Sequence, residues 1–138
     1  EASPMGTVEF FHGYTYSAIP VSMAAGLAMQ DIITKENLIQ RSKDLSPYFL
    51  DGLFSLKDID IITDIRGYGM LGGIDIRIDE RPGKAGYACF KKLFEAGLSL
   101  KATGDCLIVA PPFISEKSHI DEIIEKLRKG ITSYKKTP

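Results

Sequence analysis

Tryptophan is absent from these 138 residues, and cysteine and histidine each occur only twice. Cys89 and Cys106 are too few and too irregularly placed for a disulfide framework or a paired-cysteine zinc site. Both are therefore expected to be reduced packing residues. His12 and His119 lie far apart in sequence, and no metal is expected. Also missing are the GxGxxG and Walker A loops, the GxSxG elbow and the HExxH helix, so the familiar dinucleotide, nucleotide, hydrolase and metalloprotease signatures are not available. Charge of one sign is lacking too. Lysine and arginine number 17 against 18 aspartates and glutamates, a net −1, and the two signs are interspersed, which gives no basic patch for nucleic acid or anionic lipid. No apolar run approaches the roughly 20 residues that cross a bilayer, and the first residues form neither a basic leader nor a hydrophobic stretch. We expect a cytoplasmic protein that binds neither nucleic acid nor membrane.

What is present is ordinary for a globular chain: 44% hydrophobic and 25% charged residues, enough for one core. The chain opens on Glu-Ala-Ser-Pro rather than methionine, which hints at a piece of a longer protein. Residues 1–19 carry no sustained periodicity and read as an irregular arm. Ser17 and Pro20 then offer a helix start, with Val21, Ala24, Ala25, Ala28 and Ile32 at helical spacing to about Thr34. Ala24, Ala25, Gly26 and Ala28 make one stripe of that helix unusually small. A second helix begins near Glu36, with Leu38, Leu45, Phe49 and Leu53 on one face, and Pro47 is expected to kink or interrupt it.

The period then changes from helical to alternating. Ile59–Arg66 and Ile74–Ile78 alternate as half-buried strands do, joined by the glycine-rich run 67–73 as connection or bulges. A helix over about 83–96 ends at Gly97, which is expected to form a left-handed cap. Short strands follow at 98–101 and 106–109 around the turn 102–105, and Pro111 and Pro112 end the ladder. Ile120, Ile123, Ile124, Leu127 and Ile131 mark a final amphipathic helix capped by Ser115 or Ser118. The sum is an α+β fold, a small antiparallel sheet of three to four strands packed against helices.

Taken unaided, the residues offer little chemistry. The segment from Gly13 to Ser17 places hydroxyls and free N–H groups just before a helix start, an arrangement able to hold an anion. Thr15 or Ser17 serves equally well there as a simple helix cap.

Three segments carry a stronger signal: FFHGYTYSAIPVSMAAGLA at 10–28, RGYGMLGGIDI at 66–76 and LKATGDCLIVAPPFIS at 100–115. In content, order and spacing they resemble landmarks of the class III aminotransferases, particularly the omega-amino acid:pyruvate group. The resemblance runs from about Gly6 to Tyr134. It implies pyridoxal 5'-phosphate as cofactor, an omega-amino acid or amine as donor and a keto acid such as pyruvate as acceptor. It also implies that residues 1–19 are an arm from the large domain and 20–138 the C-terminal small domain of a fold-type-I enzyme. The Schiff-base lysine and the residues that hold the cofactor ring would belong to the preceding large domain. No catalytic residue is then expected in this chain, and the fragment would be inactive alone.

By the same resemblance Thr15 contacts the cofactor phosphate of the neighbouring subunit in a homodimer, with Tyr14 beside it. His12 and Gly13 would shape that turn, and Arg66 and Gly67 would help place the hairpin near the active-site mouth. Lys101 stands where the family usually has the arginine that receives the substrate carboxylate. A lysine keeps the charge and loses the planar two-pronged donor. Ala18 and Ile19 also depart, where relatives commonly have glycine and then histidine or asparagine. The alternative reading is a stand-alone, non-catalytic interaction or regulatory module that retains this domain.

Overall fold

The computed structural model describes residues 14–77 and 82–135. The chain divides into two units, Glu1–Glu36 and Asn37–Pro138, and each is described by itself.

In the first unit Tyr14–Ser17 form a turn closed by the Ser17 N–H donating to the Tyr14 carbonyl at 3.0 Å. Helix α1 follows, Pro20–Lys35, one residue longer than expected. Ser17 does not cap it. The N-cap is Ile19, which offers no side-chain acceptor, and Pro20 occupies the first turn, where its missing N–H costs nothing. None of its residues is buried. Val21, Met23, Leu27, Met29 and Ile32 are all exposed and fall around the whole circumference at 100° per residue. A helix apolar on every side is characteristic of burial within a larger body.

In the second unit helix α2, Leu38–Phe54, is followed by a 3₁₀ turn, Ser55–Asp58. Next come strands β1, Ile62–Tyr68, and β2, Leu71–Ile76, and helix α3, Lys84–Glu95. Strands β3, Lys101–Thr103, and β4, Cys106–Val109, lead to helix α4, Lys117–Lys135. The four strands form one antiparallel sheet in the order β1-β2-β4-β3. The expected α+β architecture is therefore found. The core lies between one face of the sheet and the helices, with Phe49, Leu53, Ile74, Leu93, Leu107, Leu127 and Ile131 fully excluded from solvent.

Several local expectations need correction. Helix α2 runs through Pro47 without interruption. The proline removes the N–H that would reach the Lys43 carbonyl, and the Ser46 hydroxyl donates to that carbonyl instead at 3.0 Å. The glycine-rich run is not a long connection. Gly67, Gly72 and Gly73 are paired in the ladder, and only Gly69 and Met70 form the turn, Gly69 with a φ of 59° that suits the first position of a tight hairpin. The strand glycines are there for close approach. A Cβ on Gly67 would lie 2.5 Å from Leu50 Cδ2 and one on Gly72 2.2 Å from Leu53 Cδ2, so α2 can sit on the sheet only where side chains are missing. Ile59 and Ile61, read as strand residues, are buried in the approach to β1, which starts at Ile62.

The third strand occupies 101–103 rather than 98–101. Leu98 belongs to the end of α3, where its N–H bonds the Leu93 carbonyl at 2.9 Å while Gly97 N–H bonds Phe94. With Gly97 at a φ of 79°, this is the left-handed cap read from the sequence. At the start of α4, neither Ser115 nor Ser118 is the closing group. His119 Nδ1 accepts from the Glu116 N–H at 3.0 Å, a side chain of the first turn reaching back as in a capping box.

Candidate functional site

Side chains directly opposite one another in an antiparallel ladder share a face, so the register sorts the sheet into rows. Ile65, Ile74, Leu107 and Ala102 form one row facing the helices. The adjacent rows point the other way: Asp64, Asp75, Cys106 and Thr103 in one, Arg66, Gly73, Ile108 and Lys101 in the next. Arg66 and Lys101 thus stand on the same outer face, three strand steps or roughly 14 Å apart. A bulge between Ile62 and Asp64 in β1 sets this parity.

The two cations differ in their surroundings. Arg66 is engaged two-pronged by Asp75, Nη1 to Oδ2 at 2.6 Å and Nη2 to Oδ1 at 3.1 Å. It also donates to Asp64 Oδ2 at 2.8 Å and reaches the Cys106 sulfur at 3.5 Å. These carboxylates raise the Arg66 pKa, and hydrogen bonding from Arg66 holds the Asp75 carboxyl below its usual range. Arg66 is a neutralised structural clamp. Lys101 is exposed at the edge of the sheet, and among the described residues no side chain pairs with it. An open recess of about 450 Å³ lies on this face, lined by Arg66, Tyr68, Leu71, Gly73, Cys106 and Ile108 among others. Ile108 is the register partner of Lys101. Gly67 also lines the recess through its backbone, while a Cβ there would point to the inner face, against Leu50.

The surroundings of both thiols favour the protonated form. Burial pushes the Cys89 thiol up to about 12, and burial followed by the neighbouring Asp75 raises that of Cys106. Both cysteines are free, as expected from the sequence.

The Asp75 shift carries a pH dependence. Its folded-state pKa is lowered, so the unfolded chain takes up the proton first as pH falls. Its contribution to stability is complete above about pH 4, near the ordinary aspartate value, and is lost as pH drops through the lowered one. The urea midpoint should therefore fall as the pH is taken below about 4, and Asp75→Asn should flatten that part of the profile. An unchanged slope in the variant would remove Asp75 from the account.

Tyr14 and Thr15 belong to the first unit and Lys101 to the second. Thr15 is exposed within the turn that precedes α1. Ala18, at the position where the resemblance leads one to expect glycine, has a φ of 59°. A side chain in this left-handed region costs roughly 1–2 kcal/mol, which is why glycine suits the position. His12 and Gly13 lie outside the described residues.

The aminotransferase class-III family model matches residues 1–131. The chain belongs to the class-III aminotransferases. An omega-aminotransferase from Caulobacter vibrioides is 38% identical over 125 residues, covering 88% of this chain and 28% of that protein. A beta-alanine–pyruvate aminotransferase from Pseudomonas aeruginosa is 38% identical over 136 residues, covering 95% of this chain and 30% of that protein. Among solved structures, the adenosylmethionine-8-amino-7-oxononanoate aminotransferase from Methanocaldococcus jannaschii superposes with a TM-score of 0.78 at 29% identity, over 90% of this chain and 30% of that one. The chain therefore spans less than a third of the aminotransferases it matches.

Within this aminotransferase domain, sequence reasoning passed over two groups. The carboxylate clamp on Arg66 could have been suspected from the alternation of Asp64, Arg66 and Asp75. In the sequence Asp105 has only the signature of a turn residue, whereas in the fold its carboxylate reaches the start of α3. Among the described residues no group of three histidine, cysteine or acidic side chains is arranged to hold a metal ion, and no helix is long and apolar enough to cross a membrane.

Proposed function

We propose that this chain is the C-terminal small domain, residues 20–138, with an arm from the large domain, residues 1–19, of a cytoplasmic pyridoxal-phosphate-dependent aminotransferase. The enzyme moves an amino group from an omega-amino acid or amine to a keto acid such as pyruvate. It works as a homodimer, and the lysine that holds the cofactor lies in the large domain, so this chain alone is inactive. The all-round apolar surface of α1 supports a larger body around it.

Pyridoxal phosphate, when bound, supplies the electron sink for amino transfer. The turn at Tyr14–Ser17 suits its phosphate: Thr15 is exposed in the turn that leads into α1, and the dipole of that helix favours an anion at its start. Thr15 donates to a phosphate oxygen of the neighbouring subunit's cofactor, and Tyr14 makes the adjacent contact. Lys101 receives the substrate carboxylate.

The observation that carries the substrate reading is the contrast between the two cations of the outer face. Arg66 has its charge satisfied by Asp64 and Asp75, whereas Lys101 has no partner among the described residues. Pyruvate appears in the names of relatives that also specify beta-alanine, an omega-amino acid or putrescine. Putrescine has no carboxylate, so the keto acid is the substrate common to all three that needs a cation.

A hydrogen bond to a charged group contributes about 1.5–3 kcal/mol, or roughly ten- to a hundredfold in affinity. In the full-length enzyme Lys101→Ala is therefore expected to raise the KM for pyruvate by at least about tenfold, and that for an aldehyde acceptor without a carboxylate far less. Lys101→Arg should restore or improve pyruvate through a two-pronged contact. Equal losses with both acceptors, or none, would show that Lys101 is an ordinary edge-strand lysine of the kind that discourages strand pairing.

A further inference from the structure

We infer that Asp105 is the positioning residue for Lys101, an inference that rests on the reading of Lys101 as the carboxylate contact. Strand β3 is a sheet edge with three paired residues and a single neighbour, β4. A two-stranded hairpin of that length has little stability of its own. What holds it is its turn, Gly104–Asp105. Asp105 Oδ2 accepts the Gly83 N–H at 2.6 Å and Oδ1 the Gly86 N–H at 2.9 Å. The N-cap of α3 is Gly83, which has no side chain to cap with, so the hairpin supplies the capping carboxylate from outside the helix. The charge also lies at the positive end of the helix dipole.

Two further contacts make the attachment rigid. The Asp105 carbonyl accepts the Ile76 N–H at 3.0 Å, tying the same residue to the end of β2. Gly86 presents bare backbone to the turn, since a Cβ there would come within 2.2 Å of the Gly104 carbonyl oxygen. Lys101 is thus held between two fixed points, the Leu98 end of α3 and the Asp105 turn. Releasing the second lets a three-residue edge strand shift, and with it the place from which the ammonium reaches a carboxylate. Asp105 touches neither substrate nor cofactor in this account and acts through the strand.

The test uses the full-length holoenzyme with Asp105→Ala, Asp105→Asn, Lys101→Ala and the Asp105→Ala/Lys101→Ala double variant. The KM and kcat are measured for pyruvate and for an aldehyde acceptor lacking a carboxylate. Asp105→Ala should raise the KM for pyruvate about tenfold and that for the aldehyde less than about twofold. Asp105→Asn, which keeps one acceptor oxygen, should raise the pyruvate KM only about threefold. Adding Asp105→Ala to Lys101→Ala should change little, because coupled residues are not additive. Equal rises for both acceptors, or additive losses in the double variant, would reduce Asp105 to a helix cap and overturn the inference. If Lys101→Ala is selective for pyruvate and Asp105→Ala is not, this inference alone fails. If Lys101→Ala has no effect, the reading of Lys101 fails and takes the inference with it. Should Asp105→Ala not fold, the Asn variant decides by the same comparison, and the absence of a pyruvate-confined rise overturns the proposal.

Discussion

Phe49→Ala is expected to lower the stability of the domain by about 3–5 kcal/mol, the usual range for emptying a fully buried aromatic site. The ring is completely excluded from solvent and sits where α2 meets the sheet, its Cζ 3.4 Å from the position a Cβ would take on Gly72. Leu53, one turn later, is equally buried. Neither neighbour can collapse into the space left, because Leu53 already lies against Gly72 and the helix is fixed by the rest of the core. A typical domain has only about 5–15 kcal/mol in hand, so the variant should stand close to its unfolding transition at room temperature. Urea unfolding followed by far-ultraviolet circular dichroism measures this directly. The matching truncation of Phe94, an exposed residue of α3, should cost far less. A loss below about 1 kcal/mol for Phe49 would mean that α2 is not held through this ring.

Gly86→Ala should destabilise the domain by about 2–3 kcal/mol, although helix propensity alone favours alanine over glycine by about 1 kcal/mol. The new Cβ would meet the Gly104 carbonyl oxygen at 2.2 Å and the Asp105 Cα at 2.8 Å. Both are backbone atoms of the β3–β4 turn, so no rotamer change relieves the contact, and the cost belongs at the upper end of the range for overpacking. The turn must move away, and the Asp105 bonds to Gly83 and Gly86 lengthen with it. Gly26→Ala in α1 is the opposite case for this chain by itself, since nothing lies within 4 Å of the added atom and propensity decides. The two substitutions are chemically identical and should change the urea midpoint in opposite directions. A stabilising Gly86→Ala would show that the turn is not seated on the helix.

Much of this molecule was legible without coordinates. Leu45, Phe49 and Leu53 recur at four-residue steps, as do Ile120, Ile124 and, with a three-residue step, Leu127, and these stripes became the buried faces of α2 and α4. Gly97 announced the end of α3, because a left-handed residue after a helix needs a missing Cβ more than it needs any tertiary partner. The three motif segments carried the family. Glycine was harder to read. In the run 67–73 the same residue type serves as a turn at Gly69 and as a strand position under α2 at Gly67 and Gly72. Local sequence cannot separate those uses, since only the second depends on a helix brought from elsewhere.

The sequence by itself determined the helical periods, the alternating strands, the cap at Gly97 and membership of the class-III aminotransferases, because each is written in neighbouring residues or in their order. Only the tertiary structure decided that Arg66 and Lys101 share one face of the sheet, that Arg66 is neutralised by Asp64 and Asp75, and that Asp105 caps a helix some twenty residues before it. Those facts depend on strand register. Alternation assigns faces within a strand, whereas the pairing between strands, and the bulge at Thr63 that shifts it, follow from which side chains the packed helices leave room for.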